Sequence, residues 1–136
     1  VISPFTSAPG NRHESKLFNH AFDSMKRVMK DIGLGLKGIT ASLDSAYDSK
    51  SNRKRIFNAG MKPNIKENPR NRKKTKRGRK RMYSEEIFQE RFRTVERVFA
   101  WEDKFKRLLV RFERISAHHI GMKLIGYAMI NLRHFC

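Results

Sequence analysis

Several hallmarks of common protein classes are missing from this sequence. Its single cysteine, Cys136, rules out an internal disulfide framework and suits a reducing compartment. The segment from Gly33 to Gly35 is glycine-rich but lacks the rest of any phosphate-binding loop. The apolar stretch 120–132 is shorter than the ~20 residues of a membrane span, and it contains Lys123. Disulfide-stapled, P-loop and membrane-spanning proteins are therefore not expected.

Acidic residues are scarce as well. Thirteen Asp and Glu stand against 31 Lys and Arg, which leaves a net charge of +18. Repulsion among so many like charges opposes compaction and favours a polyanionic partner; nucleic acid is the commonest such partner, and an anionic membrane surface is the second. The apolar fraction of 38% is enough for a modest core, and 136 residues is the length of one domain.

Helix and strand patterns alternate through the first half of the chain. The β-branched residues 1–2 read as the end of a strand, and apolar residues at helical spacing predict a helix over 14–32. Alternating residues predict a strand over 39–43, followed by a helix over about 49–59 and a short strand at 63–65. This order predicts an α/β domain with a mainly parallel sheet.

Two more helices are predicted in the second half. The first begins near Ser84 and either breaks near Asp103 or continues to about Arg114. Its apolar face is marked by residues at four-three-four spacing: Phe88, Phe92, Val95 and Phe99. A last helix is predicted over about 116–133, with an apolar side of its own.

The most basic part of the chain is the segment 70–81, in which nine of twelve residues are Lys or Arg. Like charges at this density cannot form a core, and they disfavour any compact local fold, so a mobile loop is expected. A solvated tail or a localisation patch is one interpretation. Contact with a polyanion is the other, because each phosphate that is neutralised releases counterions.

Two carboxylates are candidates for metal binding. Asp44 follows the predicted strand 39–43, and open α/β sheets bind their ligands at the carboxyl ends of strands; the ordinary alternative is a turn or cap residue. Glu96 lies on the long helix at the edge of its apolar face, and its ordinary alternative is a salt bridge with Arg93. Two such carboxylates suit Mg²⁺, which prefers oxygen ligands. The five histidines form no pair at ligand spacing.

Five short motifs follow one another along the chain. They are DSAYDS, NR, GMKPNI, VERVFAW and RFER, and they begin at Asp44, Asn52, Gly60, Val95 and Arg111. In that order they resemble the catalytic domain of bacterial insertion-sequence transposases of the DDE type. Residues 7–15 also look like the family's segment between the third strand and the first helix. The likeness runs from about residue 2 to residue 135.

The resemblance implies a partial ribonuclease H-like fold, with about three strands and four helices and without the first strands of the sheet. It also implies a triad of two aspartates and one glutamate that holds two Mg²⁺. Asp44 matches the second aspartate, and Glu96 matches the glutamate. The first aspartate and the usual N-terminal DNA-binding region have no counterpart, so residues 1–135 are expected to be the C-terminal portion of the catalytic domain, an inactive or truncated piece.

The family's signature around the glutamate, Tyr-x2-Arg-x3-Glu-x6-Lys, is only partly present. Its four positions are occupied here by Gln89, Phe92, Glu96 and Asp103. Arg93 and Lys104 each lie one residue away from the signature's cations and are expected to substitute for them.

The resemblance implies that the intact enzyme nicks transposon ends and joins the freed 3′ hydroxyl to target DNA. Cationic residues are expected to position DNA through its phosphates without reading its sequence. They are Arg72, Lys73, Lys74, Lys76, Arg77, Arg79, Lys80, Arg81, Arg93, Lys104, Arg107 and Arg111. A homodimer and a location on DNA in the bacterial cytoplasm, with no membrane partner, complete this expectation. The alternatives are a non-catalytic basic DNA-binding protein and a membrane-surface protein.

Overall fold

The structure, a computed structural model, describes residues 2, 14–71, 81–110 and 112–135. Residues 3–13 and most of the basic segment 70–81 lie outside the described residues. The chain divides into two compact units. An α/β unit spans Ala8–Arg91, and a helical unit combines Val1–Ser7 with Phe92–Cys136.

The α/β unit has the alternating order that the sequence predicts. Its elements are α1 (Glu14–Asp31), β1 (Thr40–Leu43), α2 (Lys50–Asn58), β2 (Lys62–Ile65) and the first part of α3 (Glu85–Glu102). The two strands pair in parallel, with Thr40 opposite Lys62 and Leu43 opposite Ile65. The predicted α/β class and parallel pairing are thus confirmed, and the arrangement is compatible with a partial ribonuclease H-like fold.

Local sequence signals set the ends of the first two helices. Ser49 precedes α2, and its hydroxyl accepts a hydrogen bond from the backbone N–H of Asn52 at 3.1 Å, as an N-cap residue does. Gly60 follows α2 with a φ of 78°, and Gly33 follows α1 with a φ of 73°. This left-handed conformation suits glycine because it has no Cβ, and it ends both helices.

The core of the α/β unit is built from α1, α2 and β2. Its buried residues are Phe18, Phe22, Ile56, Met61 and Ile65. The two phenylalanine rings stack with their centroids 5.3 Å apart. Ile56 and Ile65 have no exposed surface at all. Helix α2, which connects β1 to β2, is therefore packed against the strand that follows it.

Ile65→Val is expected to lower the free energy of unfolding by about 1 kcal/mol, because the lost methylene leaves a small cavity in a packed core. Urea denaturation followed by circular dichroism measures this loss. Ile39→Val is the control, because Ile39 is 44% exposed and the same change there is expected to cost less than about 0.5 kcal/mol. Equal losses for both variants would contradict the central position of Ile65.

The helical unit contains the rest of α3, a short α4 (Lys106–Leu109) and α5 (Ser116–Phe135). Of the two predicted ends for the long helix, the break near Asp103 is the one observed. Gly126 on α5 permits close packing against α4, since a Cβ there would lie 2.9 Å from the Cδ1 atom of Leu108.

The end of α3 is held to α5 by polar contacts. Glu102 is 8% exposed; its Oε2 accepts a hydrogen bond from the Tyr127 hydroxyl at 2.7 Å, and its Oε1 lies 2.6 Å from Lys123 Nζ. Burial, followed by the adjacent Glu102 carboxylate, raises the pKa of the Tyr127 hydroxyl. These contacts connect the last residue of α3 to α5.

Two helix faces that the sequence marks as apolar are not fully covered. On α3, Phe92 is 49% exposed and Phe99 is 53% exposed. On α5, Leu124 is 42% exposed, whereas Ile130 is 4% exposed. Both faces are therefore apolar in sequence but only partly buried in the structure. Periodicity identifies the apolar side of a helix, but whether another element covers that side depends on tertiary packing.

Candidate functional site

Asp44 lies directly after β1, at the carboxyl end of the parallel strand pair. Its backbone is extended, with φ −68° and ψ 159°, and it precedes a 3-10 turn over Ser45–Tyr47. The side chain makes no capping bond to that turn; its Oδ1 accepts a hydrogen bond from the Ser45 hydroxyl at 3.1 Å. Asp44 is exposed and forms no ion pair with any described residue. Its carboxylate is therefore not occupied by a cap or a salt bridge.

Glu96 lies within α3, in the part that belongs to the helical unit, and it is exposed. The alternative role, a salt bridge with Arg93, is not formed, and neither side chain has an ion pair with a described residue. Asp44 belongs to the α/β unit, so the two candidates lie in different units of the chain.

Both candidates have the donor chemistry that Mg²⁺ prefers. Carboxylate oxygens are hard ligands, and Mg²⁺ is commonly held by one or two of them because it keeps several waters. Neither carboxylate is neutralised by a described cation, unlike the carboxylates of Asp48 and Glu102. Within residues 2, 14–71, 81–110 and 112–135, no group of three or more His, Cys, Asp and Glu could hold a metal ion. The described chain thus offers single carboxylates that fit the ion, not a complete cluster.

A buried carboxylate, Asp48, lies four residues after Asp44 and is 6% exposed. Its Oδ1 accepts hydrogen bonds from Arg53 Nε and Arg81 Nη1, both at 2.8 Å, and its Oδ2 accepts one from the Asn68 backbone N–H at 3.0 Å. Burial raises the pKa of Asp48, but the hydrogen bonds from Asn68 and Arg53 and the charges of Arg53 and Arg81 together lower that pKa below its ordinary value. Asp48 is therefore an ionised buried group whose partners include Asn68, just before the basic segment 70–81, and Arg81, the last residue of that segment.

Two further side chains fix the same region. Arg53 donates a second hydrogen bond, from Nη2 to the Ile65 carbonyl at 2.7 Å. Asn64 is 4% exposed; it donates to the Ser84 carbonyl at 3.0 Å and accepts from the Ser84 N–H at 2.7 Å. The end of β2 and the start of α3 are therefore held together beside the strand end that carries Asp44.

The sequence did not reveal these anchoring residues. Asp48 lies in the DSAYDS motif, which was the one signal that pointed to it, but that motif carries no information on its partners. Arg81 was predicted to contact DNA and is, in addition, a partner of Asp48, so part of its charge is already matched within the fold. Arg107 is similar: its Nη2 lies 3.1 Å from Glu113 Oε1, although its side chain is 65% exposed.

The other predicted DNA-contact residues are either exposed or outside the described residues. Arg93 and Lys104 are exposed and have no ion pair with a described residue. Both are therefore available to phosphates on the surface of the helical unit. Eight of the predicted DNA-contact residues lie outside the described residues: Arg72, Lys73, Lys74, Lys76, Arg77, Arg79, Lys80 and Arg111.

Comparison with known proteins adds independent information. A family model described as "Transposase DDE domain" matches residues 5–132 of this chain. Searches of the curated proteins and of the solved structures found no match to this chain. The matched range includes Asp44 and Glu96 as well as the anchoring residues around Asp48. Among the described helices, none has the combined length and hydropathy that crossing a membrane requires.

Proposed function

The chain belongs to the transposase DDE domain family, and from that premise we propose that it is the C-terminal portion of a catalytic domain that cleaves and joins DNA strands at transposon ends. A function related to transposition follows from membership, and the family implies DNA as substrate. One observation carries the finer proposal. Asp44 and Glu96, the carboxylates at the family's motif positions, are both exposed and are not neutralised by any described cation.

In this proposal Asp44 and Glu96 hold the divalent metal ions that the family generally uses, here Mg²⁺. The ions supply the positive charge and Lewis acidity that displacement at a phosphodiester requires. The strand pair fixes the backbone of Asp44, and the Ser45 hydroxyl bonds one of its carboxylate oxygens. The second oxygen has no bond to a described residue, so it remains available to a ligand.

Phosphate contacts would then place the DNA beside these carboxylates. Arg93 and Lys104 are exposed cations on the unit that carries Glu96, and the basic segment 70–81 begins and ends beside Asp48. Cations that contact phosphates fix the position of a duplex without reading its bases. These contacts are therefore not assigned a role in recognising a particular transposon end.

The test is cleavage of labelled DNA that carries a transposon end, using the complete reading frame that contains this chain. We expect cleavage and joining in Mg²⁺ and neither reaction in EDTA. A complete protein that binds DNA with a steep salt dependence but never cleaves it would instead support the rival function, a non-catalytic basic DNA-binding protein. The net charge of +18 is the observation that favours this rival.

We also propose that the first aspartate of the triad and the first strands of the sheet are encoded upstream of Val1. Among the described residues β1 pairs with β2 alone, and its other edge is open to further strands. The DNA upstream of the Val1 codon tests this proposal. An in-frame aspartate within a strand pattern supports it, and a stop codon contradicts it and would make the chain a relic.

A further inference from the structure

Two helices of the α/β unit carry matching polar stripes that the proposed site does not use. On α1 the stripe consists of Asp23, Lys26, Arg27 and Lys30, and on α2 it consists of Ser51, Lys54, Arg55 and Asn58. In both stripes the residues lie three, four and seven positions after the first, so each set occupies one face of its helix.

The two stripes line two neighbouring cavities that share a lining residue, and we refer to them together as the cleft. One cavity of about 440 Å³ is lined by both helices, and another of about 250 Å³ is lined by α1; Lys26 lines both. Arg55 Nη2 donates a hydrogen bond to Asp23 Oδ2, which joins the helices at this place. The cleft therefore spans both helices, and an ion pair between partly exposed side chains connects them there.

The cleft is strongly electropositive. Five of its lining residues are Lys or Arg, and Asp23 is the one acid among them. The hydrogen bond from Arg55, with help from the charges of Lys26 and Arg27, lowers the pKa of Asp23, so these cations converge on one carboxylate. Lys26, Arg27, Lys30 and Lys54 are exposed and have no ion pair with a described residue.

One donor in the cleft lacks an acceptor. The Nε of Arg55 is buried and has no hydrogen-bond partner among the described residues. A buried donor without an acceptor costs free energy, and guanidinium groups form paired hydrogen bonds with phosphate oxygens. Ser51 and Asn58 add neutral hydrogen-bonding groups at the rim. The lining is therefore suited to an anion with several oxygens.

We propose that this cleft binds the phosphate backbone of DNA as a contact surface in addition to the one at Asp44 and Glu96. The inference rests on the proposed action on DNA and adds a place where the duplex is held. From Asp23 to Lys30 the stripe extends about 10 Å along the helix axis, at ~1.5 Å per residue. That length matches roughly three phosphates of one strand, at ~3.4 Å each along the duplex.

The same stripes argue against a lipid surface. A helix that lies on a membrane inserts an apolar face beside its basic face. The core-facing side chains Phe18, Phe22 and Ile56 are instead buried in the core of the α/β unit. On α2, Phe57 is 71% exposed, but it is not among the residues that line the cleft. Apart from Ala59, those lining residues are charged or polar.

The test is the salt dependence of binding to an arbitrary DNA duplex, measured in EDTA with the full chain. Lys26→Gln combined with Lys54→Gln is expected to reduce the slope of log Kobs against log[salt] by about 1.8, or ~0.9 for each lost phosphate contact. Lys37→Gln combined with Lys62→Gln removes the same charge from exposed lysines outside the cleft and is expected to change the slope much less. Lys26→Arg with Lys54→Arg is expected to keep the original slope.

Equal slope changes in the two glutamine double variants would overturn the inference, as would an unchanged slope in the cleft variant. Anionic vesicles that compete with DNA for the cleft as well as a second duplex does would also overturn it. Thermal melts of all variants verify that each is folded. Because EDTA excludes metal-dependent chemistry, binding is measured separately from cleavage. A complete protein that binds through the cleft but never cleaves DNA in Mg²⁺ contradicts the proposed catalysis and leaves this inference intact.

Discussion

Glu96→Gln and Asp44→Asn are each expected to reduce Mg²⁺-dependent cleavage by the complete protein at least about 100-fold. Changes to residues that only support a metal ligand already cost about 10- to 100-fold, so loss of a ligand itself costs more. Both side chains are exposed and unpaired with described cations, so the free energy of unfolding should change by less than about 0.5 kcal/mol. Cleavage rates and urea melts of the same preparations measure the two effects.

Two variants of matched chemistry serve as controls for these effects. Glu86→Gln removes an exposed carboxylate from the same helix as Glu96, and Asp31→Asn removes one from the end of α1. Both controls are expected to cleave at close to the wild-type rate. If Glu96→Gln were as active as Glu86→Gln, or Asp44→Asn as active as Asp31→Asn, the assignment of that carboxylate as a metal ligand would be wrong.

Unlike Glu96→Gln and Asp44→Asn, Asp48→Asn is expected to reduce stability, and to lower the free energy of unfolding by about 3 kcal/mol. Removing one partner of a buried ion pair costs about 3–5 kcal/mol, because the remaining charge is left without compensation. The lower end applies, since the Arg53 side chain is 12% exposed but that of Arg81 is 38% exposed. Urea denaturation measures the loss, and Asp44→Asn, four residues earlier and exposed, is its control. A loss below about 0.5 kcal/mol would refute the anchoring role.

The same group makes stability depend on pH in a defined direction. The folded-state pKa of Asp48 is lowered below its ordinary value of 3.8, so the unfolded chain takes up the proton first as pH falls. Its stabilisation is therefore complete above that ordinary value and disappears as pH falls through the folded-state pKa. The difference in unfolding free energy between the wild type and Asp48→Asn should narrow in acid. A difference that stayed constant from about pH 5 to about pH 2.5 would contradict the linkage.

The candidate carboxylates can be identified from the sequence, whereas the residues of the buried network near Asp44 cannot. Asp44 and Glu96 were identified because short motifs occur in a recognisable order and because a strand end has a predictable location. Asp48 gave no such signal, since its partners Asn68 and Arg81 lie 20 and 33 residues away and the contacts exist only in the folded chain. Sequence reasoning therefore found the exposed groups and missed the buried network.

The sequence predicts the fold best where interactions between residues close together in the chain determine the structure. The ends of α1 and α2 depend on Gly33, Ser49 and Gly60, each of which acts on its own neighbours. Burial was predicted less well, because it depends on which elements meet. Phe92 and Phe99 are exposed although they lie on a regular apolar face. The spacing of apolar residues therefore does not show whether another element packs against that face.

The hydrogen bonds of Asp48 and Asn64 connect the parts of the chain that lie before and after residues 72–80. Asn68 and Arg81 both donate hydrogen bonds to Asp48. The backbone N–H and the carbonyl oxygen of Ser84 both form hydrogen bonds with the Asn64 side chain. A protease that cleaves between residues 72 and 80 would therefore leave the two fragments associated through the bonds of Arg81 and Ser84. The start of α3 is held next to β2 by these hydrogen bonds as well as by the backbone that connects them.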